Sequence, residues 1–145
     1  MRRHGETVQL LLDRGANAYA ATDLGETALH HSAERGHTAT AKPLLGRGAN
    51  IGAATEDGKT ALHCSAERGH DETYQPLLGR GTNADAATNR GETALHHSAE
   101  RGYTANAKLL LGRGVNIDAA TEDGKTALHS SAERGHDEPH QLLLD

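Results

Sequence analysis

Four copies of the block Thr-Ala-Leu-His constrain what this chain can fold into more than any other feature. They begin at Thr27, Thr60, Thr93 and Thr126, so each copy starts 33 residues after the one before it. A fixed period of this length is typical of stacked repeat units, in which each unit buries its apolar face against its neighbours. The sequence therefore predicts a repeat protein with no single globular core.

The first half of each unit carries the start and stop signals of a short helix. Thr27 stands where an N-cap residue belongs, and its hydroxyl is predicted to accept the backbone N–H of His30. A first helix is expected over about residues 28–35. Gly36 then occupies the position where a left-handed residue ends a helix.

The second half of the unit predicts a second helix followed by a protruding turn. Thr38, or Asp71 in the next unit, is expected to cap this helix, which carries the apolar pair 44–45. Gly48 is expected to close it in the same way that Gly36 closes the first helix. Residues 50–58 then form the turn that leads to the next unit.

The predicted helices and core are weak when taken alone. Each helix is shorter than the roughly 12 to 15 residues that are needed for marginal stability in water. Pro43 and Pro76 stand inside second helices, where proline removes a hydrogen bond. The 145 residues contain no Trp, no Phe and only three Tyr. We therefore expect a weakly stable array with frayed ends that only stacking holds together.

Composition excludes several classes of function. The net charge is −5 and the pI is about 6.1, which disfavours a nucleic-acid partner. No segment approaches the roughly 20 apolar residues of a membrane span, and no secretory signal follows the N-terminal basic residues. A single cysteine, Cys64, has no internal partner for a disulfide. These features favour a reducing compartment, cytoplasmic or nuclear.

The recurring positions resemble those of the ankyrin-repeat family from His4 onward. They are Gly25, Thr27, Leu29, His30, Ala33, Gly36, His37, Leu44, Leu45 and Gly48, with their equivalents at offsets of 33 residues. The resemblance implies an all-α solenoid of the ankyrin type, in which each unit is a β-turn followed by two helices. It also implies that the turns and first helices form a concave face that binds other proteins.

The period predicts one array over residues 1–145. It consists of a partial repeat (4–24), three repeats (25–57, 58–90 and 91–123) and a truncated repeat (124–145). Residues 25–79 match residues 91–145 at 45 of 55 positions, which indicates that a pair of repeats was duplicated as a unit. Because the array begins and ends within a repeat, a fragment of a longer repeat protein is an open alternative.

The predicted concave face is almost entirely charged and offers no aromatic anchor apart from Tyr103 at a turn. Its predicted partner-binding residues are Asp23, Leu24, Glu26, Glu34, Arg35, Glu56, Asp57, Lys59, Glu67, Arg68, Asn89, Arg90, Glu92, Glu100, Arg101, Glu122, Asp123, Lys125, Glu133 and Arg134. One interpretation is a groove for a polar or charged partner segment. The other is that the Glu-Arg pairs that end the first helices form ion-pair ladders between units, each worth under about 1 kcal/mol.

The eleven histidines and the repeated serines raise the questions of metal binding and catalysis. In the family that this chain resembles, units stack too far apart for His30, His63, His96 and His129 to share one zinc ion, and this histidine bonds to the capping Thr and to turn backbone. The residues at 31, 64, 97 and 130 fill a position that is usually apolar, which indicates a partly hydrated interface. His37, His70 and His136 are expected to be structural residues of the interhelical turns. Ser32 and its equivalents lie on the packing face of the first helix, so no Ser-His-Asp site is expected.

The sequence therefore predicts no catalytic residue, metal, cofactor, membrane contact or small-molecule substrate. The favoured function is a protein–protein interaction module. The alternative is a structural spacer, or a fragment of a larger ankyrin-repeat protein, with no dedicated partner.

Overall fold

The computed structural model describes residues 2–135 and 137–144; His136 and the extreme ends of the predicted array, residues 1 and 145, lie outside this range. Within it the chain forms helices and a single isolated β-bridge between Ala21 and Thr27. The helices are α1 (Arg2–Asp13), α2 (Ala28–Arg35), α3 (Thr38–Gly46), α4 (Ala61–Arg68), α5 (Asp71–Gly79), α6 (Ala94–Arg101), α7 (Thr104–Gly112), α8 (Ala127–Arg134) and α9 (Asp137–Leu144).

The helices stack in the order of the chain. Each first helix packs on the second helix that follows it: α2 on α3, α4 on α5, α6 on α7 and α8 on α9. The first helices α2, α4, α6 and α8 also pack closely on one another in succession, whereas α3, α5, α7 and α9 touch at fewer points. The predicted all-α helical-repeat solenoid is confirmed. The finer repeat boundaries predicted from the period stay a prediction.

The first helix of each unit begins and ends where the sequence predicts. In α2, Thr27 is the N-cap, with an extended backbone (φ −99°, ψ 169°), and Gly36 is the C-cap in the left-handed region (φ 68°). Leu29, Ser32 and Ala33 are buried on one face, at the spacing of an amphipathic helix. The same caps recur in α4, α6 and α8 because the local signals are repeated, and the same face is buried in α4 and α6. In α8 the equivalent Ser131 is buried, whereas Leu128 is only partly buried.

The predicted caps of the second helix are wrong by one residue. Thr38 and Asp71 are the first residues of α3 and α5, and the N-cap positions are held by His37 and His70, without a side-chain hydrogen bond to the helix. Thr38 instead places its hydroxyl 3.1 Å from that of Thr73 on the next second helix. The hydroxyl therefore contributes to stacking between units and does not cap its own helix.

The prolines do not shorten their helices. α3 and α5 run through Pro43 and Pro76 and contain nine residues each, as does α7, which has leucine at the equivalent position. One missing hydrogen bond is tolerated because helices this short are held by their neighbours more than by their own backbone. Close packing of α1 adds to this support: a Cβ on Gly5 would lie 2.7 Å from the carbonyl oxygen of Ala39 in α3.

The interior is built from leucine and alanine, with one large ring that sequence reasoning did not place there. Tyr74 in α5 is fully buried, and it stands where the neighbouring units have Ala41 and Ala107. Two polar side chains are buried nearby at a cost: neither the Tyr74 hydroxyl nor the Asn106 amide has a hydrogen-bond partner in the described part of the chain. The ring gives the middle of the stack bulk that the alanine positions lack.

Candidate partner-binding face

Backbone hydrogen bonds join the tips of successive turns. At each step one backbone N–H donates to a carbonyl of the preceding turn over 2.8 or 2.9 Å: Glu56 to Leu24, Asn89 to Asp57 and Glu122 to Arg90. The Asn89 side-chain amide adds a bond of 2.8 Å to the carbonyl of Glu56. The residues at the tips are thereby held in a fixed row along the stack.

A histidine inside each first helix braces the turn behind these tips. His30 Nδ1 lies 3.1 Å from the backbone N–H of Thr27 and 2.9 Å from its hydroxyl, and Nε2 lies 3.0 Å from the carbonyl oxygen of Lys59. Because a carbonyl oxygen only accepts, Nε2 carries the proton and Nδ1 accepts from Thr27. His63 and His96 make the same three contacts one and two units further on.

These contacts give the histidines the structural role that the resemblance implied. Burial lowers the pKa of His30, and burial together with the nearby His97 lowers the pKa of His63 to about 4, so both rings are neutral near neutral pH. The predicted N-cap bond is weak beside them: the N–H of His96 reaches the hydroxyl of Thr93 at 3.5 Å. Among the residues described, no group of three or more His, Cys, Asp or Glu is arranged to hold a metal ion.

Residues 31, 64 and 97 occupy the helix position that was expected to be partly hydrated, and their burial differs from unit to unit. His31 is exposed, Cys64 is half-buried, and His97 is buried with an Nε2 that has no hydrogen-bond partner. Burial raises the pKa of the Cys64 thiol to about 11, so it stays protonated and is a poor nucleophile. His97 packs edge-on against His63, with 5.8 Å between the ring centroids.

The repeated serines face the interior of the stack. Ser32, Ser65 and Ser98 are buried, and their hydroxyls donate to the backbone carbonyls of Leu29, His70 and Ala94 respectively, over 3.0 to 3.1 Å. Each hydroxyl proton is already committed to a carbonyl inside the packed interface. These serines therefore serve packing of the first helix, as the sequence predicts.

Ion pairs link units at two of the three steps where an Arg-Glu ladder was predicted. Arg68 pairs with Glu34 over 3.1 Å and Arg134 pairs with Glu100 over 2.8 Å. At the middle step Glu67 pairs over 2.9 Å with Lys59 of its own unit, and Arg101 has no ion pair within residues 2–135 and 137–144. A uniform ladder is therefore wrong.

The residue that decides which cation pairs with each helix glutamate lies one position before the capping Thr, and the sequence-based prediction did not consider it. That position alternates between Glu26, Lys59, Glu92 and Lys125, in step with the duplicated pair of repeats. Where it is lysine, the side chain reaches the glutamate of its own first helix; Lys125 pairs with Glu133 over 2.9 Å in this way. Where it is glutamate, the helix glutamate turns to an arginine of the next unit.

Three clefts lie between the turn tips and the first helices, with volumes of about 170, 390 and 180 Å³ along the chain. We call them clefts 1, 2 and 3. Together they bring in Leu24, Glu26, Glu34, Glu56, Asp57, Lys59, Glu67, Asn89, Arg90, Glu92, Glu100, Arg101, Asp123, Lys125 and Glu133 from the predicted set. The predicted residues outside the clefts are Asp23, Arg35, Arg68, Glu122 and Arg134.

The predicted face carries most of the net charge of the chain. Its eleven carboxylates and seven cations sum to −4, out of −5 for all residues. Among the residues that the structure describes, four ion pairs leave three arginines, at 35, 90 and 101, and seven carboxylates that do not pair with lysine or arginine. Those carboxylates are Asp23, Glu26, Glu56, Asp57, Glu92, Glu122 and Asp123, all of them in the turns.

A family model described as "Ankyrin repeats (3 copies)" matches residues 1–88 and 73–145, which together span the chain. No curated protein matches the chain at a significant level. None of the helices described is both long and apolar enough to cross a membrane.

Proposed function

Because the chain belongs to the ankyrin-repeat family, we propose that it is a protein–protein interaction module that binds a partner protein through the predicted concave face. Ankyrin repeats are generally interaction modules and are typically without enzymatic activity. The observation that carries the proposal is the row of turn tips, which hydrogen bonds hold in register beside three adjoining clefts.

The charge of the face favours a mainly basic partner segment. Seven carboxylates in the turns lack a lysine or arginine partner, against three unpaired arginines. A complementary cationic segment gains long-range attraction and orientation from such a surface, and this attraction weakens as salt rises. Without aromatic anchors the affinity depends on polar contacts more than on buried rings.

The clefts favour a protein segment over a small-molecule substrate. Small-molecule sites are mostly apolar, whereas charged side chains dominate all three clefts. We place this interaction in the cytoplasm or the nucleus, where the single protonated thiol of Cys64 stays reduced.

Affinity capture with a matched pair of variants tests the proposal. The first carries Glu56→Lys and Asp57→Lys at a turn tip, and the second carries Glu6→Lys and Glu72→Lys on the second-helix side, so both change the net charge equally. All four residues are exposed. We expect specific partners to be lost with the first variant and retained with the second.

Two outcomes contradict the proposal. Equal loss with both variants means that capture follows net charge without a defined face. An absence of specific partners for the unaltered chain supports the alternative of a structural spacer or fragment with no dedicated partner.

A further inference from the structure

The turn tip that carries Arg90, a residue that lines both cleft 2 and cleft 3, differs from the other turn tips. The tips read Asp23-Leu24, Glu56-Asp57 and Glu122-Asp123 in three turns, but Asn89-Arg90 in the fourth. Arg90 is thus the only cation among these eight tip residues. It breaks a pattern that the rest of the array repeats.

The same cleft holds a second arginine without an ion pair. Arg101 lines cleft 2 together with Arg90, and its equivalents Arg68 and Arg134 both pair with a glutamate of the preceding unit. Arg101 lacks that partner because Lys59 holds Glu67. Two arginines therefore border a cleft of about 390 Å³, and no carboxylate of the described residues is bound to either of them.

A buried imidazole borders the cleft as well. His97 is only 6% exposed, and its Nε2 has no hydrogen-bond partner among the residues that the structure describes. Leaving a buried polar nitrogen unpaired costs free energy, which an incoming hydrogen-bonding group recovers. The Nε2 atom is covered, so such a group reaches it only when a side chain that lines the cleft moves aside.

Four carboxylates line the same cleft and limit the excess positive charge that it offers to an anionic ligand. Glu67 is paired with Lys59, and Glu100 is paired with Arg134. Asp57 and Glu92 remain, and they balance Arg90 and Arg101 in charge without forming an ion pair with either. A planar guanidinium binds carboxylate with two parallel hydrogen bonds, which gives it geometric preference as well as charge.

We propose that cleft 2 takes one aspartate or glutamate side chain of the bound segment, with its carboxylate held by Arg90 and Arg101. The proposal rests on the function proposed above and adds a specific contact to it. Each of the other turn tips carries at least one carboxylate and no cation, so a basic segment fits them in several positions along the stack. A single carboxylate in cleft 2 fixes one register.

Side-chain NMR with a blocked amino acid tests the site without any partner protein. The probe is N-acetyl-glutamate N-methylamide, the neutral reference is the corresponding glutamine derivative, and ionic strength is held constant with chloride. We expect a saturable shift of the Arg90 and Arg101 Nε–H signals with the glutamate derivative only. The same shift with both derivatives, or no saturable shift, overturns the proposal.

A variant matched to the repeat itself identifies the residue responsible. Arg90→Leu restores the residue found at the equivalent position 24, and leaves the backbone hydrogen bond to Glu122 unchanged. We expect the Arg101 shift to be lost in Arg90→Leu and kept in Arg35→Gln, which removes another arginine without an ion pair. A shift that persists unchanged in Arg90→Leu overturns the assignment, with far-UV circular dichroism verifying the fold.

The two proposals fail separately. If capture depends on Glu56 and Asp57 but Arg90 shows no response to the carboxylate probe, the proposed contact in cleft 2 is wrong and the proposed interaction face is retained. If Arg90 and Arg101 respond to the carboxylate probe but the chain captures no partner, cleft 2 is supported as a carboxylate site and the proposed function is contradicted.

Discussion

At the scale of single residues, the histidine of each Thr-Ala-Leu-His block holds the turn through a neutral ring. His63 is 1% exposed and uses Nδ1 as an acceptor and Nε2 as a donor, to the carbonyl of Glu92 at 3.0 Å. A second proton on this ring would sit on Nδ1, against the backbone N–H of Thr60. Protonation therefore opposes the hydrogen bonds that join one unit to the next.

Stability is expected to fall as the pH is lowered through this histidine. The folded pKa of His63 is lowered from 6.5 to about 4, so between these values the unfolded chain binds more protons than the folded chain. The stabilisation is complete above pH 6.5 and is lost as the pH falls towards 4; for His63 alone the loss is about 3 kcal/mol. Urea unfolding across this range measures it.

Two further measurements isolate His63 from other titrating groups. In His63→Gln the pH dependence of the unfolding free energy is expected to shrink, whereas replacing the exposed His129 serves as the matched control. In the unaltered chain, the His63 ring signal should titrate near pH 4. If the His63 ring titrates near 6.5, the assignment of His63 as a buried, neutral ring that holds the turn is wrong.

At the scale of helices, local signals define the first helix of each unit and stacking defines the second. Thr27 and Gly36 act within one turn of the helix ends, so their effect is readable from the sequence. The start of the second helix was predicted one residue late because His37 takes the N-cap position without a side-chain bond. The tolerance of Pro43 depends on contacts with other helices, which no local pattern records.

A pair of glycine substitutions in adjacent helices tests how helix ends are fixed. Gly36 has φ +68°, and a Cβ there would lie 2.5 Å from Nδ1 of His70 in the next unit. Gly36→Ala is expected to destabilise the chain by about 1 to 2 kcal/mol from the left-handed backbone alone, with more from displacing the ring. Urea unfolding gives the free energy for comparison with the unaltered chain.

Gly46→Ala is the control, because Gly46 is helical and a Cβ there meets no atom within 4 Å. It is expected to stabilise the chain by about 0.5 to 1 kcal/mol. If Gly36→Ala were as stable as the unaltered chain, neither the backbone strain nor the contact with His70 would define the end of the first helix.

At the scale of the whole molecule, the period places equivalent side chains in columns, and this is why the charged face was predictable. Turn tips and first helices meet at the clefts because the same positions recur every 33 residues. The pairing within the columns was not predictable in the same way. Glu67 has cations at positions 59 and 101 within its surroundings, and only side-chain reach decides that Lys59 holds it.

The position of a unit in the stack is expected to determine how far the destabilisation caused by a lost contact spreads to other units. Leu95 in α6 is 2% exposed and has units on both sides, whereas Leu128, at the same position in α8, is only partly buried. Removing a buried leucine to alanine costs about 2 to 5 kcal/mol. In a linear stack this loss spreads to each neighbour whose interface depends on the altered unit.

Hydrogen exchange on two matched variants measures this coupling. Leu95→Ala is expected to speed exchange in α4, α6 and α8, because their mutual packing passes through the altered helix. Leu128→Ala should speed exchange mainly in α8 and α9, with α2 and α4 unchanged. Equal effects of the two variants along the whole chain would mean that the array opens as one cooperative body, and the nearest-neighbour account of its stability would then be wrong.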